Sequence, residues 1–225
     1  VISLFYRAWE KHRLVIGYER SRLDTPEEPD LVTRGLFCLV GLGTPGLKGR
    51  LQVDDEVFLH YAGHFSHHPR SAIALESLLA DYLGMPTRVL QLAGQWLKLD
   101  DDNLSVMPSA REPAGRNTLL GVSLILGDRV WDVQSKIRIR LGPLTWREFR
   151  SLMPNGDGLT RVCQIIRTYI GPELDFDIQP VLQPGEVPWS KLSPNPDQGA
   201  YLGWNSWIRT KSFEQPVDDP VFALG

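Results

Sequence analysis

The chain opens on an apolar stripe. Ile2, Phe5, Trp9 and Ile16, with His12 in step, recur at three- and four-residue intervals, which places them on one face of a helix. The stripe predicts a helix to about Tyr18, then a charged loop from Arg22 to Asp30 containing Pro26 and Pro29. No Ser, Thr, Asp or Asn stands at capping distance before it, so the numbered chain is expected to be part of a longer polypeptide. The unbroken apolar run from Gly35 to Leu42 predicts a buried strand or packed apolar segment, closed by Gly41-Leu-Gly-Thr-Pro-Gly46. Asp54 to His64 is helical in composition. Ser71 to Leu83 is more clearly so: Leu75, Leu78, Leu79 and Tyr82 share a face, Ser71 caps it, and Gly84-Met-Pro86 stops it.

Strand patterns follow at Thr87 to Leu92 and Gln95 to Leu99, then an acidic, irregular loop from Asp100 to Asn117. Leu119 to Leu126 and Arg129 to Val133 predict two more strands. From Ser135 to Leu141 the alternation is strict. Lys136, Arg138 and Arg140 point one way, and Ile137, Ile139 and Leu141 the other. Thr145 to Met153 reads as a helix with a capping box, since Glu148 stands three residues after Thr145. Leu159 to Ile170 predicts a second helix. In Leu174 to Ile178, Asp175 and Asp177 share one face, complementary to the basic stripe. These two strands are expected to be neighbours in one sheet, with opposite charges facing across the pair; an acidic protein partner is the other outlet for the stripe. Tyr201 to Ile208 predicts a last strand, followed by a loose tail from Lys211.

The same words occur twice in the same order. Leu42-Gly-Thr-Pro precedes two helices ending Tyr82-Leu-Gly84, and Leu141-Gly-Pro precedes two helices ending Tyr169-Ile-Gly171. Each glycine leads to a strand, then to Trp96-Leu-Lys-Leu99 in one copy and Trp189-Ser-Lys-Leu192 in the other. Leu119-Leu-Gly-Val-Ser-Leu-Ile125 is answered by Tyr201-Leu-Gly-Trp-Asn-Ser-Trp207. The expected fold is α+β: two tandem, similar helix-helix-strand units forming a pseudo-symmetric scaffold behind an N-terminal helix. Residues 1–34 would form the helix and loop, 35–127 the first unit, 128–209 the second, and 210–225 a flexible tail. Twin surfaces favour bivalent binding over a single catalytic cleft.

Composition narrows the function classes. Hydrophobic residues make up 42% and charged residues 23% of 225, which gives enough apolar surface to offset the entropy of ordering a chain. A net charge of −3 supplies no global basic field to recruit nucleic acid. The apolar runs fall far short of the ~20 residues that span a bilayer. Two distant cysteines, Cys38 and Cys163, are too few for a disulfide framework. Gly41 to Gly46 has the spacing of a nucleotide loop. Pro45 and the Lys48-Gly49-Arg50 break leave no helix to hold a phosphate, so a turn is expected. His60, His64, His67 and His68 form the one metal-like cluster, with His60 and His64 at helical i, i+4 spacing; a metal-dependent enzyme using them is the rival reading. Asp100-Asp-Asp-Asn103 lacks the glycine and closing glutamate of a calcium loop. Trp189, Trp204 and Trp207, close together, suit either a core or an interface.

Several words carry a resemblance. Leu4-Phe-Tyr-Arg-Ala-Trp-Glu-Lys11, Leu42-Gly-Thr-Pro-Gly-Leu-Lys-Gly-Arg-Leu51, Val130-Trp-Asp-Val-Gln-Ser-Lys136, Arg138-Ile-Arg-Leu-Gly-Pro-Leu144, Glu173-Leu-Asp-Phe-Asp177 and Leu202-Gly-Trp-Asn-Ser-Trp207 look like the TssG (ImpH/VasB) family of the type VI secretion system. The resemblance runs from Val1 to about Ile208. It implies a non-enzymatic baseplate subunit with no cofactor or metal, cytoplasmic and docked to the inner-membrane complex. TssF would join it in a wedge, the trimeric adaptor TssK would hold the wedge, and TssE would complete the baseplate. The assembly would be hetero-oligomeric, with no nucleic acid and no membrane insertion. The tandem arrangement adds an expectation: the loops Asp100 to Asn117 and Ser193 to Ala200 each dock one TssK trimer. Leu104, Val106, Met107, Pro108, Pro194, Pro196, Trp204 and Trp207 are the candidate contact residues.

Overall fold

The computed structural model describes residues 1–11, 13–24, 30–110, 112–191 and 199–224. The opening stripe forms two helices, α1 (Ile2–Lys11) and α2 (Leu14–Asp24), where the spacing predicts one. Ile2, Phe5 and Trp9 stay exposed. Next comes α3 (Leu31–Val40), and here the expected strand at Gly35 to Leu42 is a helix. A short apolar run without alternation fits either element, and its ends decide between them. The Asp30 carboxylate accepts from the N–H groups of Val32 and Thr33, and Gly41 closes the helix in the left-handed region at φ 94°.

Three more helices follow, α4 (Asp55–His60), α5 (Ala62–Ser66) and α6 (Ala72–Leu83). Ser71 caps α6 by accepting from the Ala74 N–H at 3.1 Å, as its sequence predicts. Among the described residues, six strands and two α-helices follow: β1 (Thr87–Leu90), β2 (Gln95–Lys98), β3 (Arg129–Asp132), β4 (Lys136–Leu144), α7 (Trp146–Ser151), α8 (Asp157–Ile170), β5 (Asp175–Leu182) and β6 (Phe222–Leu224). The main sheet runs β1-β4-β5-β6. Strands β4 and β5 are parallel, and a parallel pair needs a crossover, which α7 and α8 supply.

Period-two alternation gives this sheet two unlike faces. Ile139, Leu141, Leu144, Ile178 and Leu182 have no exposure at all, and share one core with Phe58, Leu78, Phe149, Ile165 and Ile166. Each such side chain contributes roughly 1.5–3 kcal/mol of burial free energy. The other face carries the charges, and the expected neighbours are neighbours. Lys136 lies opposite Asp175 and Arg138 opposite Asp177. Both cations converge on Asp177, which is 1% exposed: Lys136 Nζ lies 2.8 Å from one carboxylate oxygen and Arg138 Nη2 2.8 Å from the other. Arg140 reaches Asp218 at 2.7 Å.

Asp218 belongs to the segment expected as a loose tail, and that expectation is corrected. Val217 exchanges both backbone hydrogen bonds with Leu182, and β6 pairs antiparallel with β5. The outer edge of β5 presents unpaired N–H and C=O groups that the tail satisfies, and Phe222 and Val217 are buried there.

The second sheet holds only β2 and β3. Its ladder runs from Gln95↔Asp132 to Lys98↔Arg129, while β1 and β4 pair from Thr87↔Leu141 to Leu90↔Arg138. The two ladders are therefore segments of one bent two-stranded arm, offset by a single residue at the joint, as at a bulge. Leu92 (φ 59°) turns the joint, and Gly94 lies directly under the Trp131 ring, with no room for a side chain. Across from them, the Asp132 carboxylate accepts from the amides of Gln134 and Ser135 and from the Ser135 hydroxyl. Gln95 Nε2 then donates to Asp175, tying the arm to the main sheet.

Two further expected strands are turns. In Leu119 to Leu126 the Leu119 carbonyl accepts from the N–H groups of Val122, Ser123 and Leu124, and among the described residues no strand pairs with it. In Tyr201 to Ile208 the Tyr201 carbonyl accepts from Trp204 and Asn205. Glycine makes both possible, since Gly121 (φ 77°) and Gly203 (φ 79°) occupy the left-handed region. The order helix, helix, strand recurs as α5, α6, β1 and α7, α8, β5. The flanks differ. A helix, α4, precedes the first and a strand, β4, the second, and Trp96-Leu-Lys98 lies on β2 whereas Trp189-Ser-Lys191 is irregular.

Candidate assembly surfaces

The histidines do not converge. Helix α4 ends at His60, Tyr61 takes φ −95° and ψ 18°, and α5 starts afresh, which breaks the helical relation between His60 and His64. His60 Nε2 lies 4.0 Å from Asp81, the His64 carbonyl accepts from Arg70, and His68 Nδ1 is 3.1 Å from the Ser66 carbonyl. Among the described residues no three His, Cys, Asp or Glu side chains are grouped to hold a metal ion. Tyr61 donates to Asp81 at 2.7 Å, and burial with that carboxylate pushes its phenol up to about 12. Cys163 is pushed up to about 11 by burial, which removes its thiolate at neutral pH. The glycine run at Gly41 closes α3 rather than opening a helix, the reverse of a phosphate loop.

The charge cluster at Asp100 to Asn103 is a short 3-10 turn braced by Arg116, which reaches Asp102 at 3.3 Å. Val106 pairs with Arg116 as an isolated bridge, so the loop folds back on itself. Leu104 and Val106 are half-buried in it, while Met107 and Pro108 are exposed at its tip. Pro194 and Pro196 lie outside the described residues. Trp204 is half-buried and stacks on Tyr201 at 5.3 Å. Trp207 is core, 7% exposed and 5.8 Å from Phe149. Among the described candidates, Met107 and Pro108 are thus exposed, Leu104, Val106 and Trp204 half-buried, and Trp207 core.

Exposed apolar side chains that the sequence did not flag stand elsewhere, on the arm. Trp96 is 63% and Trp131 52% exposed; they meet edge to face across β2 and β3 at 5.2 Å. Leu120 and Val122 stand out at the far turn, as Leu202 does on the turn made by the matching word. In each turn the residue before the left-handed glycine is a leucine, 86% exposed at Leu120 and 94% at Leu202. A two-stranded ribbon is marginal alone in water, and an apolar patch of this kind marks a contact with another molecule. The signal was available. A Leu-Gly word repeated in two loops, with no polar partner in the alternation, marks exposed apolar tips as well as strands.

Comparison with known proteins agrees with this picture of a scaffold. The family model for Type VI secretion, TssG, matches residues 1–209. A chain in the type VI secretion system TssK-TssF-TssG baseplate subcomplex, solved by cryo-electron microscopy, is similar over 100% of this chain and 90% of its own, with TM-score 0.74 and 21% identity. A chain of the baseplate complex from the type VI secretion system is similar over 100% of this chain and 59% of its own, with TM-score 0.62 and 21% identity. No curated protein matches. Among the described residues no helix is long and apolar enough to cross a membrane. With 209 of its residues covered by that one family model, the chain belongs to the TssG family of type VI secretion.

Proposed function

We propose that this chain is a structural subunit of the type VI secretion baseplate wedge, transforming no substrate. In this role it joins TssF, and the adaptor TssK docks on it at the inner-membrane complex. With TssE it completes the platform on which the contractile sheath assembles. The observation that carries the proposal is the pair of turns at Leu119–Val122 and Tyr201–Trp204. Both close through the same carbonyl-to-amide hydrogen bonds and hold a nearly bare leucine outward. Two like apolar knobs on one chain suit a partner that presents the same pocket more than once, with the second contact made at high effective concentration. Each turn adjoins one loop, Asp100 to Asn117 or Ser193 to Ala200, and each loop with its turn docks one TssK trimer. A solved structure of similar fold comes from a complex that contains TssK and TssF.

Capture of TssK by the assembled wedge tests this. Leu120→Asp or Leu202→Asp, or deletion of either loop, lowers the TssK bound per wedge by about half, and the double variant removes it. Thermal stability stays within about 0.5 kcal/mol for the leucine changes, because both side chains are already in water. Full capture by every variant overturns the proposal.

A further inference from the structure

The main sheet ends on β6 at one side and on β1 at the other, and among the described residues no strand pairs with the outer edge of β1. The Gly142 N–H donates to the Pro86 carbonyl, which sets the phase of the β1–β4 ladder. Antiparallel ladders alternate, so Arg88 and Leu90 turn their backbone groups toward β4, and Thr87 and Val89 turn theirs outward. The outward Val89 N–H has a substitute acceptor. Glu76 Oε1, reaching over from α6, lies 2.7 Å from it. A side-chain oxygen thus stands where the carbonyl of one more strand would stand.

Both flanks of this edge are furnished. On the charged side Arg88 lies directly opposite Arg140, and like charges so placed repel. Arg140 has Asp218 at 2.7 Å. Arg88 is exposed and, among the described residues, has no ion-pair or side-chain hydrogen-bond partner. The two arginines share a hollow of about 460 Å³ with Thr87, Pro143 and Pro216. The Glu76 carboxylate lines it too, held there on the Val89 amide. On the helix side, Ile73 stands one turn before Glu76 on the same face of α6 and is exposed.

We infer that the β1 edge takes an extended segment of a partner protein as a fifth strand, with apolar side chains toward Ile73 alternating with acidic ones toward Arg88. The incoming backbone pairs with Thr87 and Val89, and its carbonyl displaces Glu76 from the Val89 amide. Main-chain hydrogen bonds supply the affinity, and the carboxylate on Arg88 supplies the selectivity. While the edge is empty, Glu76 screens it against stray strands. This goes beyond the wedge proposal and does not depend on which surface holds TssK.

The test uses the whole chain and a fluorescein-labelled octapeptide of alternating valine and glutamate, followed by fluorescence anisotropy. Its glutamine counterpart and a fully N-methylated version, which keeps the side chains and loses every backbone donor, serve as controls. The glutamate peptide binds at least about tenfold tighter than either control, and its binding slows hydrogen exchange at the Thr87 amide. Arg88→Glu removes that margin, Arg88→Lys keeps most of it, and Arg161→Glu, on α8, leaves it unchanged. If Arg88→Glu does not fold, Arg88→Gln reads the same loss. Glu76→Ala tightens binding about threefold, since no carboxylate then has to leave the edge. No binding, equal affinity for the methylated peptide, indifference to the Arg88 changes, or no gain from Glu76→Ala overturns the inference.

Discussion

The main sheet and the arm share two stretches of chain, 87–98 and 129–144, yet they treat apolar surface in opposite ways. In the main sheet the large apolar side chains facing the helices are buried or packed against the core, and the buried Asp177 carboxylate has two cations. A few residues along the same strands, Trp96 and Trp131 are left more than half in water, and Leu97 and Val130 about two-fifths. The difference teaches where each part finds its stability. The sheet is held by its own chain; the arm is held at its base and left unfinished at its tip. An apolar surface kept in place by a rigid joint costs little entropy when a partner covers it.

Three substitutions would break or sharpen that contrast. Asp177→Ala should be the most damaging, because it leaves the Lys136 and Arg138 charges on a covered face without their anion. The loss is about 3–5 kcal/mol in chemical denaturation, with the whole sheet unfolding together. Gly94→Val forces a side chain into the Trp131 ring. It should cost about 1–3 kcal/mol. Hydrogen exchange should rise in 95–98 and 129–132 while β4 and β5 stay protected, and equal loosening of both regions would mean that arm and sheet are one cooperative unit. Thr145→Ala removes the α7 capping box and should cost about 1 kcal/mol at neutral pH. Thr145 holds the Glu148 carboxyl below the usual carboxylate range through its N–H and its hydroxyl. That contribution is complete above this range and is lost as pH falls through the lowered value. The gap between wild type and variant in thermal denaturation should therefore narrow on acidification by the hydroxyl's share, since the variant keeps the backbone N–H to Glu148. A gap that widens in acid would contradict the assignment.

The parts of the fold that were legible in the sequence are those in which two independent signals agreed. Lys136 and Arg138 alternate with Ile137 and Ile139, and Asp177 alternates with Phe176 and Ile178, so period and charge both called for pairing. Thr145 with Glu148, and Ser71 with Gly84, carried cap chemistry at both the right residue and the right spacing. Gly35 to Leu42 offered one signal only, unbroken hydrophobicity, and that does not separate a strand from a helix. Asp30 and Gly41 at its ends were the decisive cues and were passed over. Leu119 to Leu126 misled for a different reason. Apolar residues were equated with burial, whereas Leu120 and Val122 face outward. The tail was missed because Phe222 to Leu224 has no pattern of its own; it is a strand only because β5 offers an edge. The candidate surface was half visible: the aromatic residues around Tyr201 and Trp204 are there, but Trp207 is core and the barest leucines were not named.

Strand β6 closes the main sheet with residues 222–224, so the fold is completed out of order. During synthesis β5 is translated some forty positions earlier, and its flank stays open until that terminal piece leaves the ribosome. In that interval the nascent protein is a template for any stray β-segment. A ribosome that stops before residue 222 would release a molecule with that side of β5 uncovered.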